Sequence, residues 1–141
     1  MNDALTETAD RLRRAVARLQ RRLRQSTSGS LTPGQVSVLA SLDKHEALTL
    51  GELAALEGVR PPSLTPVVRA LVHDGFVARS PDEADRRSAR VRLTPLGRDE
   101  LNLVRQRRNE FLERKLASLT TPDRERAREL ISFLESLLDE S

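Results

Sequence analysis

Between Thr49 and Thr94 the hydrophobic period of the chain changes from helical to strand-like, and that change restricts what the chain can fold into. Thr49-Leu50-Gly51-Glu52 has the pattern of a capping box, with a hydroxyl at the N-cap and a carboxylate three residues on to satisfy orphan amide donors. Leu50, Leu53, Ala54 and Leu56 give a short apolar stripe, and Gly58 can turn the chain with positive φ. A second helix is expected to start near Pro61-Pro62, where a missing amide costs little, and to end at Asp74 with Gly75 as its left-handed cap. Leu64, Val67, Val68 and Leu71 recur at helical spacing and face a core, which leaves Pro62, Thr65, Pro66, Arg69 and His73 on the opposite side. Pro66 would lose no hydrogen bond if the helix effectively begins at Ser63. Two short helices joined by a Gly-containing turn make a helix-turn-helix, whose second helix can enter the major groove of DNA.

After Gly75 the pattern becomes that of strands. Phe76-Val77-Ala78-Arg79 is one candidate, and Ala89-Arg90-Val91-Arg92-Leu93 alternates apolar residues with Arg, as a half-buried strand should. The polar stretch from Ser80 to Ser88 between them is too long for a tight turn. A hairpin directly after a recognition helix is a wing, and arginines at its tip would be drawn to the negative potential of a minor groove.

Gly75-Phe76-Val77, Asp85-Arg86-Arg87 and Val91-Arg92-Leu93-Thr94-Pro95-Leu96-Gly97-Arg98 together resemble the wing signature of the MarR family of winged-helix regulators. Upstream, Leu48-Thr49-Leu50-Gly51-Glu52-Leu53-Ala54 and Val59-Arg60-Pro61-Pro62-Ser63-Leu64-Thr65 resemble the family's helix-turn-helix, so the likeness runs from about residue 33 to residue 100. The resemblance implies a homodimeric regulator of transcription that binds double-stranded DNA, often as a repressor released by a small aromatic or anionic effector. Carried onto this chain, it implies that Asp85 pairs with Arg87 in a wing salt bridge and that Arg86 and Arg87 enter the minor groove. The candidate DNA-binding set is Arg60, Pro62, Ser63, Thr65 and Arg69 on the helix, with Arg86, Arg87 and Arg90 on the wing. Pro66 stands where many members carry a polar or basic recognition residue.

The net charge of +3 hides an asymmetry. Residues 1–24 carry seven Arg against Asp3, Glu7 and Asp10, and the wing carries five Arg against three acids, but residues 33–75 are net negative. The helix-turn-helix is therefore no basic patch in itself, and an electrostatic argument for DNA has to rest on where Arg60 and Arg69 lie. Other chemistry is poorly represented. The chain has no Cys, which excludes a thiol-based oxidation sensor, and only His45 and His73 as histidines, with no Gly-rich phosphate loop. Neither an enzyme nor a metal site is expected, and no cofactor is called for. Phe76, Phe111 and Phe133 are too few aromatics for a single-strand stacking platform. No apolar run has membrane-spanning length, and the Arg-dense first segment is unlike a signal peptide, so the cytoplasm is the expected location.

The expected architecture is mainly α with a small β-hairpin wing: a winged helix-turn-helix over residues 32–94, flanked by dimerisation helices over 1–31 and 95–141. Leu5, Ala9, Leu12, Val16, Leu19 and Leu23 follow alternating steps of four and three, a seam that wants a partner helix. Thr32-Pro33-Gly34-Gln35 is a second capping box with proline at the first helical position. A long helix is expected from Pro95 to about Leu119, and a last one from Pro122 to about Leu138 burying Ala127, Leu130, Ile131, Leu134, Leu137 and Leu138. The flanking stripes can be buried only against each other or against a second copy. The resemblance further implies an effector site between these helices and the winged unit, where Arg14 or Arg18 would favour an anion. The rival reading is a winged-helix dimer that contacts another protein through its wing arginines.

Overall fold

Thr32 closes the capping box read from its sequence. Its backbone N–H donates to Gln35 Oε1 at 2.9 Å while Gln35 N–H donates to Thr32 Oγ1 at 3.2 Å. The computed structural model describes residues 3–27, 29, 31–85 and 87–139. In chain order these form α1 (Asp3–Ser26), α2 (Pro33–Lys44), β1 (Leu48–Thr49), α3 (Leu50–Glu57), α4 (Pro61–His73), β2 (Val77–Pro81), β3 (Ala89–Leu93), α5 (Pro95–Ala117) and α6 (Thr121–Asp139).

The box at Thr49 closes differently from its pattern. Thr49 Oγ1 accepts Glu52 N–H at 3.1 Å, but Glu52 Oε1 accepts the Thr49 hydroxyl at 3.0 Å. Thr49 also belongs to β1, a two-residue strand too short to announce itself by period, which pairs antiparallel with β3 as Leu48 opposite Val91 and Thr49 opposite Arg90. On the other edge β2 pairs antiparallel with β3 from Val77 opposite Leu93 to Pro81 opposite Ala89, giving the order β1-β3-β2.

Gly58 turns the chain out of α3 at φ 66°. Gly75, at φ 81°, does the same after α4, where Phe76 N–H reaches back to Leu71 O at 2.9 Å in the Schellman arrangement. Thr94 then joins wing root to helix: its hydroxyl donates to Gly75 O at 2.7 Å and accepts Gly97 N–H at 3.0 Å. Gly97 sits so close to the Phe76 carbonyl that a Cβ there would collide with it.

The core comprises Val36, Val38, Leu39 and Leu42 of α2, Leu48, Leu53 and Ala54, Leu64, Val68 and Leu71 of α4, Val77, Val91 and Leu93 of the sheet, and Leu101 and Val104 of α5. Polar ties hold the layers: Ser37 and Ser41 donate to the Glu57 carboxylate at 2.6 and 2.7 Å, and Asp43 pairs with Arg105 at 2.8 Å and Arg98 at 3.6 Å. The flanking helices differ. Neither α1 nor α6 has a buried residue. Within the single chain the apolar stripe of α6 is not covered, Leu130 being 54% and Ile131 51% exposed, with Ala127 and Leu134 half-buried. α1 runs along α5, yet Val16 stays 44% and Leu19 49% exposed. Arg124 secures α6 to the end of α5 by donating to Leu116 O and Ala117 O at 3.1 and 2.9 Å. No helix is long and apolar enough to cross a membrane among the described residues.

Candidate nucleic-acid interface

The outer face of α4 begins at Arg60, its N-cap, which has no side-chain capping bond, and continues through Pro62, Ser63, Pro66, Arg69 and His73, all exposed. Leu64, Val68 and Leu71 anchor the opposite face. Val67 is half-buried, as is Thr65, whose hydroxyl donates to Pro61 O at 3.1 Å. Pro66 is not in the first turn, because α4 starts at Pro61 and not at Ser63. Proline's fixed φ suits Pro61 and Pro62 to the helix from the outset. Pro66 therefore lies inside α4, and the Pro62 carbonyl lacks its usual donor four residues on, on a face that solvent reaches.

The wing is organised by Asp82, a residue that belongs to none of the motifs legible in the sequence. It is 7% exposed, and its carboxylate accepts Ala84 N–H at 3.1 Å and the Ser88 hydroxyl at 3.3 Å, and pairs with Arg90 Nε at 3.3 Å. Its own N–H donates to Ser88 O at 3.1 Å across the hairpin neck. The Ala84 amide, followed by Arg90 and Ser88, holds the Asp82 carboxyl below its ordinary value, outweighing the partial desolvation that pushes it up. The one available signal is Pro81-Asp82 at a strand end, since Asp in a turn readily bonds the backbone two residues on.

Arg90, expected among the DNA contacts, is engaged internally. Besides Asp82 it pairs with Glu52 at 3.7 Å and donates to Ala47 O at 3.3 Å, and so ties the wing to the start of α3 and the approach to β1. The expected Asp85–Arg87 salt bridge is also replaced. Asp85 Oδ1 accepts the backbone N–H of Arg87 at 3.0 Å, the nearer donor at that spacing in a turn, and the Arg87 side chain is left exposed. Arg86 lies outside the described residues.

These pairings reduce the charge problem of the helix-turn-helix without removing it, because Glu46 and Asp74 stay exposed. Asp43, Glu52 and Glu57 are all held by partners within the fold. Arg60, Arg69 and the Arg87 guanidinium, by contrast, have no hydrogen bond or ion pair among the described residues. The winged unit thus holds Asp43, Glu52 and Glu57 internally, leaves Glu46, Asp74 and Glu83 exposed, and presents Arg60, Arg69 and Arg87 unpaired.

Of the two arginines expected at an effector site, Arg14 is exposed and donates through Nε to Asp10 O at 3.3 Å. Arg18 borders an open cleft of about 790 Å³ between α1 and α5, floored by Leu19, Phe111 and Leu112. The junction of α1, α2 and α5 holds a separate cavity of about 330 Å³ lined by Leu23, Arg24, Val36, Ser37 and Arg108. Arg108 Nε is buried there without a hydrogen-bond partner. In the sequence Arg108 reads only as an interruption of the apolar stripe of α5. No cluster of His, Cys, Asp or Glu suited to a metal ion occurs among the described residues.

The model of the MarR family matches residues 31–89. An HTH-type transcriptional regulator of Mycobacterium tuberculosis is 37% identical over 142 residues, covering 100% of this chain and 99% of that protein. The HTH-type transcriptional repressor MdtR of Bacillus subtilis is 34% identical over 90 residues, 64% of this chain and 58% of the repressor. A MarR family protein from Bacillus stearothermophilus has the same fold, with a TM-score of 0.81 at 26% identity over 99% of both chains. With the exposed α4 face and the wing on the same unit, these likenesses make the chain a member of the MarR family of DNA-binding, winged-helix transcription regulators, and not an enzyme.

Proposed function

We propose that the chain is a homodimeric repressor that binds palindromic duplex DNA through α4 and the wing and is released by a small anionic or aromatic ligand. The observation that carries the DNA part is that Arg60, Arg69 and Arg87 stand exposed and unpaired on one unit, while Asp43, Glu52 and Glu57 are held by partners within the fold. α4 would lie in the major groove with Ser63, Thr65 and Arg69 toward base edges or the phosphates beside them, and Arg87 would reach backbone and minor groove. The dimer part rests on the uncovered apolar residues of α1 and α6, and a two-fold dimer calls for a palindromic site.

Binding of Arg69→Ala and Arg87→Ala to an operator selected from random duplex, and to random duplex itself, tests this across a salt series. Arg87→Ala should weaken both and lower the log–log salt slope by roughly 0.9 for each phosphate it no longer neutralises. Arg69→Ala, if it reads a base, should cost ~1–3 kcal/mol per half-site on the operator and far less on random DNA. Wild-type affinities and slope retained in both variants would favour the protein-contact reading.

The effector would bind at the α1–α2–α5 junction, where the unpartnered Arg108 Nε offers a donor to an anion. Aromatic carboxylic acids should then weaken DNA binding by wild-type protein and have no such effect on Arg108→Met. A panel of such acids that leaves wild-type DNA affinity unchanged would remove this part of the proposal.

A further inference from the structure

Pro62 and Pro66 lie four residues apart on the exposed face of α4, roughly 6 Å along its axis. Neither has an N–H, and both rings are apolar where a reading helix usually carries hydrogen-bonding side chains. The nearby Thr65 hydroxyl donates to Pro61 O, so toward DNA it can act only as an acceptor. Unpaired Arg60 and Arg69 flank the two rings, so cations that can hold phosphates or guanine stand on either side of an apolar ridge. Along the floor of the major groove the thymine C5-methyl is the apolar group, and every other edge offers donors or acceptors that lose hydration against a proline ring.

We propose that Pro62 and Pro66 form an apolar ridge that selects thymine methyl groups in each half-site. At a rise of about 3.4 Å per base pair, the spacing of the rings corresponds to about two base steps. This rests on the reading of α4 as the helix that enters the major groove. Arg60 and Arg69 supply the attraction, and the ridge supplies the discrimination.

Replacing thymine by deoxyuridine removes the methyl group and nothing else, which makes the test direct. Duplexes enriched from a random library by the full-length protein should carry T·A pairs about two steps apart in each half-site. Deoxyuridine at those positions should weaken binding roughly fourfold per methyl. In Pro66→Ser the penalty should vanish at the position facing Pro66 and persist at the one facing Pro62, with helicity retained because serine restores the missing amide. Pro62→Ser should give the reverse. An enriched duplex whose deoxyuridine form binds as tightly as its thymine form would overturn the ridge while leaving DNA binding intact, as would penalties unchanged in both variants. Failure to enrich any duplex would instead overturn the DNA reading, and the ridge with it.

Discussion

Leu39, Leu53, Val68 and Leu71 of the winged unit are fully buried, whereas residues of the same chemistry on the flanking helices, Leu19 at 49% and Leu130 at 54%, keep about half of their surface. The winged unit closes its core within one chain because three helices and a sheet surround it, and because α5 lends Leu101 and Val104 from its first half. α1 and α6 have stripes of comparable apolar content but too few neighbours in the same chain. The first region should therefore owe its stability to internal packing, and the second to association.

The largest effect should follow from emptying the internal core. Leu71→Ala is expected to cost ~2–5 kcal/mol in chemical denaturation, by the same amount at every protein concentration. The corresponding break in the flanking region is Leu130→Glu. That variant should leave the winged unit folded by circular dichroism but shift the chain from dimer to monomer in sedimentation, and make thermal unfolding independent of concentration. A wild-type chain that sediments as a fully folded monomer at micromolar concentration would erase the distinction and the proposed dimer with it.

The legibility of the sequence follows the same division. The bounds of α4, its buried face and both glycine turns are readable because helical period and positive φ are local constraints, and Gly58 and Gly75 adopt the expected geometry. β1 is not readable, since two residues carry no period and only β3 defines them as a strand. The wing clasp escapes a linear reading because it joins Asp82 to Arg90 and Ser88 across a hairpin neck. The family resemblance points to Asp85 and Arg87 instead, where the backbone amide takes the carboxylate. On α1, seven arginines on one helix give no means of ranking Arg14 or Arg18. Arg108 stands out only because α1, α2 and α5 enclose it.

Within the winged unit the wing root shares the core through Val77, Val91 and Leu93, but the wing tip is held by polar contacts alone, so the tip should yield separately and at smaller cost. Asp82 is bonded to Ala84, Ser88 and Arg90 as a carboxylate, and its pKa lies below the ordinary 3.8 in the folded chain. A group with a depressed folded pKa contributes stability above its unfolded pKa and loses it as pH falls through the folded one. The clasp should therefore be constant from neutral pH down to about 5 and open only under more acid conditions, at pH values below 3.8. Asp82→Asn should imitate the acid state at neutral pH. Amide exchange at Ala84 should then rise while exchange at Leu71 is unchanged, and DNA affinity should fall a few-fold through a misplaced Arg87. Arg90→Ala should have the same local effect, and Arg90→Lys should rescue it only partly, because an ammonium lacks the fork that reaches Asp82, Glu52 and Ala47 O together. If Asp82→Asn loosens Leu71 as much as Ala84, the wing unfolds with the core and does not form a separate polar layer.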